Sequence, residues 1–186
     1  MRFTTLVLLT VLTVPPLAAT ARASDSSLST TDQYLYALQD DATYVEGCFD
    51  PCMCPIMSEA RLEGSFILRC TGTDGQFVNY ELSQVSWLVM WQDAVFHRVE
   101  GTGLFRLDEE GKQQQLLLQL SIDGNPPISF DGGVVPSLVP FPDLSATVSM
   151  NGMYCYDRVF HVTAAQNGKI GVGDESAWGA LKARFR

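Results

Sequence analysis

The chain has 186 residues, of which 46% are hydrophobic, a size and composition that suit one domain with a substantial core. It carries 21 acidic side chains against 12 basic ones, a formal charge of −9. That balance excludes a nucleic-acid partner, because phosphate contacts need clustered Lys and Arg, and it equally excludes an anionic membrane surface.

Residues 1–23 read as a secretory signal peptide. Arg2 supplies the positive start, Leu6 to Leu12 a short apolar run, and Ala21-Arg22-Ala23 an A-x-A cleavage pattern. The run is too short for a membrane span, which needs about 20 residues. The mature chain is expected to begin at Ser24. It loses Arg2 and Arg22 with the signal, which leaves 21 acidic and 10 basic residues, a charge of −11. Such acidity suits the solubility of an exported protein.

Residues 24–42 open with a polar stretch rich in Ser and Thr and are expected to form a flexible leader. Within them, Tyr34 to Leu38 fits a short helical turn or an edge strand. From Thr43 the pattern turns to strands. Arg61–Cys70 is one, Phe77–Trp91 a longer one, and Val95–Leu107 a third whose Gly101-Thr102-Gly103 marks a bulge or bend. Val85–Trp91 is apolar enough to be buried on both faces. Gln113–Asp123 alternates most cleanly, with Leu116, Leu118, Leu120 and Ile122 on one side. Its N-terminal connection, Asp108 to Lys112, and the turn Asp123-Gly124-Asn125 both carry hairpin chemistry. Ile128–Phe130 is short, and residues 132–142, with Pro136, Pro140 and Pro142, read as a loop. Leu144–Met150 and Tyr154–Thr163 complete the set, joined at Asn151-Gly152, a favoured tight turn.

The predicted fold is therefore all-β: an antiparallel meander barrel or sandwich of about 7–9 strands over residues 43–165. Residues 166–175 are expected to be a Gly-rich linker. Residues 176–186 read as a short amphipathic, basic C-terminal helix. In it Trp178, Leu181 and Phe185 fall on one face, Ser176 is the N-cap, and Lys182, Arg184 and Arg186 suit the C-terminal dipole.

The chemistry of the chain is concentrated in its five cysteines. Cys48, Cys52 and Cys54 lie within seven residues, in the run Cys48-Phe49-Asp50-Pro51-Cys52-Met53-Cys54-Pro55; Cys70 and Cys155 stand alone. Three readings fit. Export favours disulfides among Cys48, Cys52, Cys54, Cys70 and Cys155, with one cysteine left over. A Cys52–Cys54 bridge would be strained by its tight ring. Alternatively, Cys48, Cys52, Cys54, Met57, Met153 and Cys155 supply soft sulfur that selects copper(I) or zinc, although the C-x3-C-x-C spacing is not that of a zinc finger. The third reading is thiol–disulfide exchange at Cys52 and Cys54, which lacks the usual C-x-x-C signature. His97 and His161 both fall on predicted strands, where a histidine is ordinarily a hydrogen-bonded structural residue. No G-x-S-x-G, phosphate-loop or H-E-x-x-H pattern is present.

The stretch Tyr44 to Pro55, together with Asn151-Gly152-Met153-Tyr154-Cys155, resembles segments of exported bacterial β-rich proteins of unknown function. That resemblance covers residues 43–163. It implies an envelope or extracellular origin and brings no catalytic residues.

The expected function is an exported, non-enzymatic binding or structural module of the bacterial envelope, secreted, periplasmic or surface-located, with disulfides in its Cys-rich loop and no cofactor. A small apolar ligand, held at a barrel mouth by Trp87, Trp91 and Phe96, or an envelope protein is the expected partner. The alternatives are a copper- or zinc-binding protein using the Cys/Met cluster and a thiol oxidoreductase.

Overall fold

The computed structural model describes residues 32–170 apart from residues 53 and 56. The expected signal peptide, the start of the leader and the amphipathic tail lie outside the described residues. Among those described there is no helix. Ten strands form one antiparallel sheet: β1 Gln33–Leu38, β2 Thr43–Cys48, β3 Met57–Thr73, β4 Phe77–Trp91, β5 Ala94–Asp108, β6 Gln113–Ile122, β7 Ile128–Asp131, β8 Val135–Pro136, β9 Leu144–Ser149 and β10 Tyr156–Ile170.

The count exceeds the expected seven to nine for two reasons. The first strand position is broken. β1 and β2 lie end to end between the same two neighbours, β3 and β10. The break at Gln39–Ala42 keeps its backbone groups paired: Gln39 N–H donates to Thr163 O, and Leu62 N–H to Ala42 O, each at 2.9 Å. In addition, the expected loop at 132–142 contains the two-residue β8, paired with Gln113 and Gln114. The boundaries move outward as well. β1 lies inside the segment expected to be leader, and β10 continues to Ile170, beyond residue 165. These two ends pair with each other, Gln33 opposite Ile170.

From β3 to β7 the strands follow each other as a meander. β9 then pairs with β10 over six residue pairs, from Val159↔Ser149 to Ala164↔Leu144. It meets β7 only at Asp131↔Ser149. The path of pairings thus returns to its start, by a broad contact on one side of β9 and a single residue pair on the other.

Alternation decides what is buried. On β6, Gln114, Leu116, Leu118, Leu120 and Ile122 all point inward, as the sequence period predicts. The Val85–Trp91 run, expected to be buried on both faces, alternates instead: Val85, Trp87 and Val89 are buried while Ser86 and Trp91 are exposed. Tyr36, Tyr44, Phe66, Trp87, Phe105, Phe130 and Phe160 fill the interior at under 2% exposure. The bend expected at Gly101–Gly103 is real, but the extra residues sit opposite, on β4, where the register slips between Leu82 and Val85 and Gln84 takes φ 53°. Glycine is required on β5 there: a Cβ at Gly101 would run into the Gln119 carbonyl.

Candidate functional site

One end of the sheet gathers most of the chemistry. β2 ends at Cys48, β10 begins at Tyr156, and the loops after β2, β6 and β9 meet beside them. Cys48 is bonded to Cys54, with Cα atoms 5.6 Å apart, and Cys52 to Cys155, at 4.7 Å. The cluster loop is thereby fastened to the β9–β10 connection. Phe49 N–H donates to Cys155 O at 2.8 Å, which extends the β2–β10 ladder into the loop. Cys70 is the free thiol, buried on β3 and far along that strand from the cluster. The Cys52–Cys155 bridge spans 103 residues and would contribute about 4.7 kcal/mol by restricting the unfolded chain.

A fully buried carboxylate holds the turn that carries Cys155. Asp157 Oδ1 accepts backbone N–H bonds from Met150 (3.0 Å), Asn151 (2.9 Å) and Arg158 (2.7 Å), and Oδ2 accepts one from Met153 (2.6 Å). These bonds fix a backbone that visits the left-handed region at Met153 (φ 57°) and Cys155 (φ 54°), which residues other than glycine seldom adopt.

Beside the disulfides a polar network crosses the interior. Glu46, two residues after inward-facing Tyr44 on β2, points inward too. It accepts hydrogen bonds from Tyr44 Oη (2.7 Å), Arg158 Nε (3.0 Å) and Tyr156 Oη. His97 of β5 faces it, Nε2 to Oε2 at 3.9 Å, and donates through Nδ1 to Asp123 Oδ2 at 2.6 Å. Arg98 N–H completes Asp123 at 2.9 Å. Because β3 and β4 separate β2 from β5 in the sheet, this contact reaches across and does not follow the ladder. Burial works to raise the Glu46 carboxyl, but the bonds from Tyr156, Tyr44 and Arg158 outweigh it and hold it below its ordinary value. The backbone bond from Arg98, then His97, holds Asp123 low in the same way. Burial, then the bond to Glu46, pushes the Tyr44 phenol up.

The Asp123–His97 pair has the form of a catalytic orienter and base. Its free nitrogen, however, faces a carboxylate already bonded by Arg158, and no hydroxyl or thiol is hydrogen-bonded to it among the described residues. The network neutralises charge and ties strands together.

The other expected site residues are dispersed. Met57 and Met153 are exposed, and Cys48, Cys52, Cys54 and Cys155 are paired in disulfides. Cys52 and Cys54 are not bonded to each other. Trp87 is core, packed edge-on against Phe66, and its Nε1 has no hydrogen-bond partner among the described residues. Trp91 and Phe96 stand exposed around the β4–β5 turn, with Phe96 against His97 at a ring separation of 4.1 Å. None of the three lines either of two cavities formed by the described residues. One of these, about 840 Å³, opens at the single-pair seam between β7 and β9. Its walls include Val135, Leu138, Ala146 and Met150, with the polar groups of Gln114 and Thr147. Gln114, almost fully buried, donates its side-chain amide to Ser145 O at 2.5 Å, so a side chain stands where a neighbouring strand would be.

Glu46, Asp157 and Arg158 have no counterpart among the residues singled out from sequence. The available signal was periodicity: Glu46 is a carboxylate on the inward register of a strand. Compared with models of protein families, curated proteins and solved structures, the chain matches none.

Proposed function

We propose that the protein is an exported, non-enzymatic binding module of the bacterial envelope: a closed, up-and-down β-barrel stapled by disulfides at one end, taking a small apolar ligand in the cleft at the β7–β9 seam. The observation that carries this reading is the contrast within one closed path of strands. At one end Cys48–Cys54 closes the cluster loop on itself and Cys52–Cys155 ties that loop to the β9–β10 connection, and elsewhere the path relaxes to a single residue pair beside a cleft. Disulfides, one of them here joining segments 103 residues apart, persist in oxidising compartments, which supports export. The cleft volume, about 840 Å³, falls within the span usual for ligand pockets, about 300–1,000 Å³. Its lining sets Val135, Leu138, Ala146 and Met150 among seven polar side chains, Asp131 included, which suits a ligand with an apolar body and several hydrogen-bonding atoms.

Two measurements test the proposal. Intact mass of the secreted chain after alkylation in denaturant should show one labelled thiol, Cys70, and four oxidised cysteines. Titration with the apolar fluorophore anilinonaphthalene sulfonate should give saturable binding that Ala146→Trp removes. Binding unaffected by Ala146→Trp, or copper or zinc retained by the purified chain and lost in the Cys52→Ser, Cys54→Ser variant, would overturn it.

A further inference from the structure

The seam cleft has a chemical bias as well as a volume. No Lys, Arg or His lines it, and its one charged side chain is Asp131. The chain around it is acidic, at a formal −9. Asp131 makes no ion pair among the described residues. Its Oδ1 accepts from Gly133 N–H at 2.7 Å and from the Gln115 amide at 3.2 Å, whereas Oδ2 accepts nothing among the described residues.

The hydrogen bonds of the walls point the same way. Their donors are largely spent within the protein. Gly132 N–H goes to Leu116 O, and the Gln114 amide to Ser145 O. In the β9–β10 turn the N–H groups of Met150, Asn151 and Met153 turn back onto Asp157. The Asn151 amide donates to Tyr154 O at 2.8 Å. The acceptors are not spent. Among the described residues no hydrogen bond reaches the carbonyls of Met150, Asn151, Gly152 or Met153, or the side-chain oxygens of Gln114 and Asn151. Asp131 stands opposite Ser149, the residue before Met150, so its carboxylate and the turn's carbonyls belong to one end of the cleft. A carboxylate or sulfonate there would meet like charge with no cation to pair it.

We propose that the cleft selects a small amphiphile whose head is a protonated primary amine. Its apolar chain lies along Val135, Leu138 and Ala146. Its ammonium, a group with three donors and no acceptor, meets Asp131 Oδ2 and the unpaired carbonyls of the turn. This names the ligand class of the cleft and rests on the cleft being the ligand site.

The test uses the full mature chain and an uncharged fluorophore, phenylnaphthylamine. At neutral pH it is displaced by decylammonium, decanol or decanoate, each below its micelle concentration. These share one chain and differ in the head. Decylammonium should act at a several-fold lower concentration than decanol, and decanoate at a several-fold higher one. Decyltrimethylammonium, charged but without an N–H, should fall behind decylammonium. Asp131→Asn, at an exposed position, should bring ammonium and alcohol within about twofold, with the β-sheet circular dichroism unchanged. Equal displacement by all heads, a preference for decanoate, parity of the two ammonium heads, or an ammonium preference that survives Asp131→Asn would overturn the inference and leave the cleft as the site. Absence of saturable fluorophore binding, or binding that Ala146→Trp leaves unchanged, would overturn the cleft reading and the inference with it.

Discussion

The two sides of β9 are built in opposite ways. Toward β10 it has six residue pairs, and the turn that follows is gripped by Asp157 and by the Cys52–Cys155 bridge. Toward β7 it has one pair, supplemented by the Gln114 side chain. The difference teaches where such a sheet can spend its stability. Covalent and charged contacts hold one side, whereas the other rests on a single residue pair and one side-chain bond and is the side that can open at the lower cost.

The comparison can be broken most severely at the bridge. Cys52→Ser with Cys155→Ser should cost about 4–5 kcal/mol in urea denaturation. Amide exchange at Arg158–Phe160 should rise toward the rate at the seam; unchanged exchange would mean that the bridge does not distinguish the two sides. Next comes Asp157→Ala, which takes the shared acceptor from four backbone N–H groups, of which Met150 keeps the Arg158 carbonyl, and should cost about 3 kcal/mol by the same measurement. The third test is pH. The folded Glu46 carboxyl titrates below its unfolded value of about 4.3, so its contribution is present above that pH and is lost as pH falls through the lower, folded value. Glu46→Gln should therefore be less stable at neutral pH by about 1–2 kcal/mol and show a shallower loss on acidification. The smallest effect is expected at the seam. Asp131→Ala should change stability by no more than about 0.5 kcal/mol yet alter fluorophore affinity. A large loss of stability there would make the seam as structural as the bridge.

What was legible follows from the range over which each signal acts. β6 was plain because its alternation is local and one face is fully buried. The Asn151-Gly152 turn was plain because its backbone preference is intrinsic. β1 was obscured because six residues between a polar leader and a break carry little pattern, and both partners of β1 are remote in sequence. The cysteines announced a framework but not its pairing, since Cys155 reaches the cluster only through the register of β10 on β2. The contact between Glu46 and His97 was invisible because it depends on how the whole sheet curves, which no local period encodes. The three aromatics Trp87, Trp91 and Phe96 are placed apart for a simpler reason: Trp87 lies on the inward register of β4 while Trp91 and Phe96 are exposed.

The pairing of β1 with β10 also sets an order of events. Asp32 and Lys169, 137 residues apart, meet at 2.7 Å where the first strand lies against the last. The first strand can pair with β3 once residues 65–69 are present, but its other edge waits for β10, and so for nearly the whole chain. Closure of the strand path, like the Cys52–Cys155 bond, needs the last strands and so comes late in folding. A chain whose first and last strands pair folds slowly, and until it closes it presents open strand edges to other unfolded copies.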